Sequence, residues 1–314
     1  MGSKIEPVLS IIMPAYNAEK YISEAIESII NQTYTNWELL ICDDNSTDKT
    51  YEIAKSFMDE RIKLFKNPVN KKKPKTTNWL FTKSKGEIIT IHDADDISHP
   101  LRFEKQINQI LKSPNYFCGC DMQYIKENGK LLNRGIKKIN ILNRNYPRVG
   151  DATLVFYKSA IDNGVIYRDF FSNNMDYDFG LRLLKNYSYK NVNEYLYYYR
   201  NVPFSISKNH LKKDIFINPE LVRYFHDQRT VNNIDSLDLN NFEDIENKTK
   251  NILIELQSDK SALERKAVGF LLNLKMNKTA LRIWMVGWRK DYLNIDIYKN
   301  LLWLIRNTFL RKYD

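Results

Sequence analysis

The apolar positions of the first hundred residues alternate between two patterns. Short, nearly continuous apolar runs, which are typical of strands buried on both faces of a sheet, are separated by segments of helix length. The runs are Val8–Met13, Glu38–Cys42 and Glu87–Ile91, with a weaker one at Arg61–Phe65. After the first run, apolar residues return at helical spacing, at Ile22, Ala25, Ile26, Ile29 and Ile30. This alternation predicts an α/β fold in which helices flank a mostly parallel central sheet.

The pattern changes further along the chain. A helix is predicted over Leu101–Leu111, and strands are predicted at Thr153–Tyr157 and Glu194–Tyr199. Beyond residue 215, Asn-rich connectors and long helical patterns follow. We therefore predict one domain over residues 1–215 and a helical C-terminal region over residues 216–314.

Composition and charge indicate a sizeable core and an anionic partner. The 314 residues are 43% hydrophobic and carry a formal net charge of +10. Such a charge suits a nucleotide, a nucleic acid or a membrane surface without choosing among them. No recognition motif accompanies the charge, so we do not expect nucleic-acid binding.

The C-terminal residues carry most of this charge. Residues 261–314 hold eleven basic and four acidic residues, and so contribute seven of the ten net positive charges. Apolar residues between Ile297 and Leu310 lie near these basic ones, a composition that fits helices at an anionic membrane interface. The alternative is a helix that packs against the first domain or against a second subunit, which would make the protein a homo-oligomer.

The expected cellular compartment follows from two features that the sequence lacks, a membrane-spanning run and a secretory signal. No apolar run approaches the ~20 residues needed to cross a bilayer, and no secretory signal opens the chain. We expect a cytoplasmic protein, with a peripheral position at the inner face of the membrane left open. Cys42, Cys118 and Cys120 match neither a disulfide framework nor a zinc site and are expected to be reduced thiols.

Polar side chains that suit chemistry follow three of the predicted strands. The first strand ends in Pro14-Ala-Tyr16-Asn17, the second in Asp43-Asp44-Asn45, and the fourth in Asp93-Ala-Asp95-Asp96. Because ligands bind beyond the carboxyl ends of strands in an open parallel sheet, we expect these residues to share one site.

The aspartate cluster after the fourth strand indicates a divalent cation. In extended backbone, Asp93 and Asp95 project to the same side about 7 Å apart. At an effective dielectric near 20 they repel by roughly 2.4 kcal/mol, which Mg²⁺ or Mn²⁺ would remove. The alternative is that Asp96 or Ser98 caps the following helix.

Glycine is missing where phosphate-binding loops need it. No glycine occurs between Gly2 and Gly86, which excludes a dinucleotide fingerprint and a P-loop at the first strand–helix turn. A diphosphate site here would need a metal and basic side chains. The basic run Lys71–Lys75 is predicted to be a solvated loop.

Residues 8–50 and 86–100 resemble the opening of glycosyltransferase family 2. The resemblance continues more weakly at 174–185 (NMDYDFGLRLLK) and 197–207 (YYYRNVPFSIS). It implies a GT-A fold and inverting transfer of a sugar from a nucleotide diphosphate, with Mn²⁺ or Mg²⁺. The helical C-terminal region predicted from the residue pattern would be an extension of this fold. Residues 8–100 would bind the nucleotide sugar, and residues 101–215 would bind a glycan or lipid-linked glycan acceptor.

The resemblance also implies roles for the residues of the nucleotide half. Tyr16 would stack on the base, and Asp44 would accept the imide N–H, which favours UDP. Asp43 would help to fix the nucleoside, Asp93 would lie near the ribose, and Pro14 belongs to the same nucleotide-binding set.

The resemblance also implies roles for the residues around the reacting groups, which are the diphosphate, the metal and the acceptor. Asp95 would bind the metal, and Asp176 would be the catalytic base. Lys75 is the cation nearest to where the family carries an arginine, and Asp96 and Arg200 would contact the acceptor or the diphosphate. Asp178 is expected to be a solvated acid at a helix start.

Three positions depart from the family pattern, at Met175, Thr77 and Val202. They keep a second hypothesis open, a catalytically impaired GT-A-like binding or scaffold protein. A sugar-nucleotide pyrophosphorylase is the enzymatic alternative, although it would need a glycine-rich first loop.

Overall fold

The computed structural model describes residues 7–136, 150–171, 173–201, 214–258, 261, 264–266, 268, 277–291 and 293–309. The chain divides into two compact units, Met1–Ser205 and Ile206–Asp314. The boundary predicted after residue 215 falls in the first turn of the helix that opens the second unit.

The first unit contains the strands. They are β1 (Leu9–Ala15), β2 (Trp37–Asp43), β3 (Ile62–Lys66), β4 (Ile88–Ile91), β5 (Ile97–Ser98), β6 (Tyr116–Ile125), β7 (Leu131–Ile136), β8 (Val155–Tyr157) and β9 (Ser188–Arg200). Its helices are α1 (Ile22–Ile30), α2 (Thr50–Lys55), α3 (Lys72–Lys83), α4 (Arg102–Ile110), α5 (Ser159–Asp162) and α6 (Met175–Asn186), with a short 3₁₀ turn at Asp151–Thr153.

The strands form a single sheet in the order β3-β2-β1-β4-β8-β6-β9-β5, and β7 pairs with β6. From β3 to β4 every pairing is parallel, as predicted. The rest of the sheet is mixed, because β8 runs antiparallel to both β4 and β6, whereas β6 and β9 are parallel. The α/β architecture is therefore confirmed, while parallel pairing dominates only in the first half of the sheet.

Alternation along β1 explains how helices cover both faces of the sheet. Ile11 and Met13 belong to a core that includes Ile26 of α1. Ile12 points to the opposite face and belongs to a second core with Leu80 of α3. Since side chains of a strand alternate between faces, an unbroken apolar run fits a strand buried on both sides.

One segment differs from its predicted structure. The basic run that includes Lys73 was predicted to be a solvated loop, but α3 begins at Lys72. Pro74 lies in the first turn of this helix, where proline is favoured because its missing N–H would have no helical partner. The prediction was wrong because it weighed the basic composition above this helix-start signal.

The second unit is helical in the described residues, as predicted. Its helices are α7 (Asp214–Asn232), α8 (Phe242–Ser258), α9 (Asn277–Lys290) and α10 (Ile295–Phe309). Among the described residues, no helix has both the length and the apolar character required to cross a membrane.

Candidate active site

The parallel register brings the ends of three strands side by side. Ala15 at the end of β1 pairs with Asp43 at the end of β2, and Ile12 pairs with Ile91 at the end of β4. The backbone N–H of Asp44 then donates to the Ala15 carbonyl at 2.8 Å. The polar segments after these strands therefore lie at one edge of the sheet, as the sequence predicted.

Asp44 is a buried acceptor in a fixed orientation. Its Oδ1 accepts hydrogen bonds from Asn67 Nδ2 at 2.7 Å, from the Lys71 backbone N–H at 2.9 Å and from the Thr76 hydroxyl at 2.9 Å. None of these donors uses Oδ2. The protein therefore holds Asp44 through Oδ1, and Oδ2 can accept a hydrogen bond from a further donor such as a ligand.

Tyr16 and Pro14 lie where β1 ends. The Tyr16 ring is 50% exposed, and Pro14 is half-buried. The following turn is held by Asn17, whose Oδ1 accepts from the Thr47 backbone N–H at 2.9 Å. A half-exposed ring on a fixed turn is suited to stacking on a planar base.

Asp43 supports this turn from inside the protein. Its side chain is fully buried, Oδ1 accepts from the Ser46 backbone N–H at 3.2 Å, and Oδ2 lies 3.8 Å from Lys66 Nζ. Its expected contact with a nucleoside stays a prediction.

Lys73 links two acidic residues from different parts of the sheet. Its Nζ donates to Asp93 Oδ1 at 2.7 Å and lies 3.3 Å from Asp151 Oδ2. Tyr167 also donates its hydroxyl hydrogen to Asp151 Oδ2. Asp93 follows β4, whereas Asp151 begins the 3₁₀ turn before β8. The lysine therefore joins the first half of the sheet to the second.

The negative charge of Asp176 acts on Lys73. Burial alone would lower the pKa of Lys73, but Asp151 and Asp93 outweigh it and hold that pKa well above its usual value. The charge of Asp176, in the first turn of α6, raises it further, and it also raises the pKa of Tyr167. The carboxylate of Asp176 therefore lies within electrostatic reach of the Lys73 cluster.

Lys75 is paired with Asp169 and not with the carboxylates that follow β4. Its ammonium lies 3.3 Å from Asp169 Oδ2, and its side chain is 58% exposed. Residues two positions apart in a helix point about 200° apart around its axis, so Lys73 and Lys75 leave α3 on opposite sides. The cation next to Asp93 is Lys73, which the sequence analysis missed together with Asp151.

Arg200, at the end of β9, holds the segment that carries Asp95 and Asp96. Its buried guanidinium donates to the Asp95 carbonyl at 2.7 Å, to the Glu127 carbonyl at 2.6 Å and to Glu24 Oε2 at 2.6 Å. Its backbone N–H donates to Asp96 Oδ1 at 2.7 Å. Arg200 thus positions the acidic segment. Its expected contact with an acceptor or a diphosphate stays a prediction.

The acidic segment is electrostatically suited to a cation. Burial, followed by repulsion from Asp93, raises the pKa of Asp95 to about 6. Burial and then repulsion from Asp95 raise the pKa of Asp96 well above its usual value. Asp96 is only 1% exposed, so the half-buried Asp95 is the member of this pair that a bound cation could reach.

The donor set fits a divalent cation that is only partly ligated by protein. In the described part of the chain, no group of three His, Cys, Asp or Glu side chains could hold a metal. Mg²⁺ commonly binds through one or two carboxylates and completes its shell with phosphate oxygens and water. Asp95 fits that arrangement.

Asp178 is buried, contrary to the expectation of a solvated acid. Arg168 donates from Nε to its Oδ2 at 2.9 Å and from a second nitrogen to Oδ1. The two side chains are 9% and 1% exposed. This two-point ion pair ties the start of α6, and hence Asp176, to the segment before it.

Of the three positions that depart from the family pattern, the structure describes two, Thr77 and Met175. Thr77 is buried in α3 and its hydroxyl has no hydrogen-bond partner in the described structure. Met175 opens α6 and packs against the core that contains Phe179. Val202 lies outside the described residues.

The model of glycosyl transferase family 2 matches residues 10–209, so the chain belongs to this family. The match covers the sheet described above except for Leu9, the first residue of β1.

Several curated relatives are similar to this chain. The putative glycosyltransferase EpsE of Bacillus subtilis (strain 168) is 43% identical over 113 residues, 35% of this chain and 41% of that protein. The UDP-Glc:alpha-D-GlcNAc-diphosphoundecaprenol beta-1,3-glucosyltransferase WfgD of Escherichia coli is 41% identical over 121 residues, 38% and 48% of the two chains. These alignments span about half the length of the relatives.

A longer alignment covers most of a third relative. The O-antigen biosynthesis glycosyltransferase WbnJ of Escherichia coli is 34% identical over 212 residues, 64% of this chain and 82% of that protein.

Solved structures share the fold. S. aureus TarS 1-349 in complex with UDP superposes with a TM-score of 0.59 at 17% identity, covering 98% of this chain and 92% of that chain. The complex with UDP-GlcNAc gives 0.61 at 18% identity, with 92% and 89% covered. The predicted GT-A fold is confirmed.

The buried ion pair beside the candidate base generates a stability prediction. Arg168→Met should lower the free energy of unfolding by about 3 kcal/mol, because it removes the two-point cationic partner of the buried Asp178 carboxylate. Adding Asp178→Asn should recover at least about 1 kcal/mol, since the buried negative charge is then gone. Both values are measured by chemical denaturation.

The control removes a cation from an exposed pair. Lys250 and Glu246 of α8 are 66% and 74% exposed, so Lys250→Met should change stability by less than about 0.5 kcal/mol. A double variant less stable than Arg168→Met would contradict the assigned role of the pair.

Proposed function

We propose that this chain transfers a sugar from a UDP-linked donor to a hydroxyl acceptor, with inversion at the anomeric carbon. The observation that supports the proposal best is the cluster of Asp93, Lys73 and Asp151, with Asp176 in electrostatic reach of it. The cluster stands beside Asp95 at the ends of parallel strands. Charged groups of both signs, a fixed base acceptor and a candidate general base are thereby close together.

The orientation of Asp44 supports uracil as the base. Its Oδ1 is saturated by three donors, which leaves Oδ2 for a ligand. Uracil has an imide N–H to donate there, whereas cytosine has an unprotonated ring nitrogen at the same position. Tyr16 supplies a half-exposed ring for stacking. The name of WfgD, which includes UDP-Glc, and the UDP complexes of TarS agree with this choice of donor.

Asp176 is the group that we assign to proton transfer. An inverting transfer needs one base to take the proton of the acceptor hydroxyl while that oxygen attacks the anomeric carbon. A single displacement reverses the configuration, so an α-linked donor gives a β-linked product. The ion pair between Arg168 and Asp178 holds the first turn of α6, which also carries Asp176.

The departing diphosphate must be compensated electrostatically. Lys73 supplies one positive charge from the protein, and we propose that Mn²⁺ or Mg²⁺ on Asp95 supplies the remainder. When bound, such a metal stabilises negative charge on the leaving group as a Lewis acid.

The acceptor is proposed from the relatives. WfgD carries a diphosphoundecaprenol-linked sugar in its name, and WbnJ is described as an enzyme of O-antigen biosynthesis. We infer that the acceptor is a glycan or a lipid-linked glycan, used in the assembly of a bacterial polysaccharide or glycolipid.

The alternatives have less support. The scaffold hypothesis rested on Met175, Thr77 and Val202. For Thr77, which stands in place of a family arginine, Lys73 provides a cation beside Asp93. A pyrophosphorylase would need a glycine-rich loop after β1, where this chain has Pro14-Ala-Tyr16.

The test of the proposed function combines a donor screen with one variant. Uridine-, guanosine- and thymidine-diphosphate sugars are supplied with Mn²⁺, and donor consumption is measured with and without chelator. We expect turnover with a UDP-sugar, its loss on chelation, and a rate about 10²–10⁴-fold lower in Asp176→Asn with nucleotide binding retained. Asp162→Asn, an exposed residue of α5, is the matched control.

Near-normal turnover by Asp176→Asn would remove that residue from the role. Release of pyrophosphate from a nucleoside triphosphate and a sugar phosphate would instead favour the pyrophosphorylase.

A second test addresses Lys73. Lys73→Met should weaken UDP binding by about 10- to 100-fold, because a charge-assisted hydrogen bond is lost and the carboxylates around it then repel the diphosphate. Lys75→Met, two residues away and exposed, should change it less than about threefold. Titration calorimetry measures both, and equal losses in the two variants would contradict the assignment.

A further inference from the structure

Two helices of the second unit expose apolar side chains on one surface, which we call the apolar face. The face consists of Leu281, Met285 and Trp288 of α9 and Ile295, Tyr298 and Leu302 of α10, each between 39% and 70% exposed. Their spacings, i, i+4, i+7 in α9 and i, i+3, i+7 in α10, place each set along one side of its helix.

Packing among the described residues of this unit does not account for this surface. The side of α9 next to this stripe, which includes Ala280 and Trp284, packs against Val268 and Leu301. Trp284 also donates from Nε1 to the Ile297 carbonyl at 2.8 Å. The two helices thus bury one side against each other and leave a second apolar side outward.

The two apolar stripes are continuous. Trp288 of α9 donates from Nε1 to the hydroxyl of Tyr298 in α10 at 3.3 Å. Leu293, in the connection between the helices, is 81% exposed. The stripes and the connection therefore form one surface whose centre is a tryptophan–tyrosine pair.

Positive charge borders the apolar face. Arg282 follows Leu281 by one residue and Arg289 follows Trp288 by one, so each lies about 100° around α9 from the stripe. Both arginines are exposed, and neither has an acidic partner among the described residues. An apolar stripe beside uncompensated arginines is the pattern of a helix that lies in a membrane interface.

We propose that the apolar face binds the surface of an anionic membrane. The apolar side chains enter the boundary between headgroups and acyl chains, Trp288 and Tyr298 lie at headgroup depth, and Arg282 and Arg289 contact lipid phosphates. The described helices include none able to cross a bilayer.

Charge favours a membrane over a second copy of this chain. In a two-fold interface the same surface meets itself, so the arginines of two copies would approach each other without acidic partners. Anionic lipid removes that repulsion. The inference does not depend on the sugar-transfer chemistry, although it would bring the catalytic unit to a lipid-linked acceptor.

The test is co-sedimentation of the full chain with vesicles of phosphatidylcholine containing phosphatidylglycerol, and of phosphatidylcholine alone. The test variant is Met285→Glu with Leu302→Glu. The matched control is Val231→Glu with Ile254→Glu, which are exposed residues of α7 and α8 and give the same change in charge. We expect the test variant to lower the partition coefficient on anionic vesicles at least about tenfold, and the control less than about twofold.

Wild-type protein should bind anionic vesicles at least about tenfold more tightly than neutral ones, and higher salt should weaken this binding. Donor consumption in solution should be unchanged in both variants, which separates this proposal from the proposed function.

Equal binding by the test variant and the wild type would overturn the proposal, as would absence of wild-type binding to anionic vesicles. A wild-type dimer in analytical ultracentrifugation that the test variant loses, without vesicle binding, would overturn it too and assign the face to contact between copies.

Discussion

Negative charge at the ends of the parallel strands constrains the catalytic unit. Asp93, Asp95 and Asp96 lie within the five residues after β4, and burial and mutual repulsion raise the pKa of Asp95 and of Asp96. Such a segment is stable only where cations approach it. The protein supplies Lys73 on one side and Arg200 on the other, and the two cations act differently.

Lys73 and Arg200 connect distant parts of the chain through the acidic segment. Lys73 reaches it from α3 and joins Asp93 to Asp151, so that the parallel half of the sheet meets the mixed half. Arg200 reaches it from β9 and binds backbone carbonyls, so it fixes the path of the chain. The Lys73 side chain is 21% exposed and the Arg200 side chain is fully buried, so of these two cations Lys73 is the one suited to meet a ligand.

Much of the parallel half of the sheet could be predicted from the sequence. Continuous apolar runs marked β1, β2 and β4, and a weaker run marked β3. Because parallel strands end at one edge, the polar residues after β1, β2 and β4 had to lie near each other. The runs of β6 and β7 carry glycine or polar residues, and so gave no comparable signal. Lys73 and Asp151 were missed because they meet only through the tertiary fold. Asp178 was misjudged because its partner, Arg168, lies on another segment.

The central claim is that these strand ends form one donor site. A crystal structure of the full chain with UDP and Mn²⁺ tests it most directly. The account predicts uracil against Tyr16 with its imide N–H on Asp44, an anomalous manganese peak at Asp95, and phosphate oxygens near Lys73. Nucleotide bound elsewhere, or manganese away from Asp95, would contradict the account.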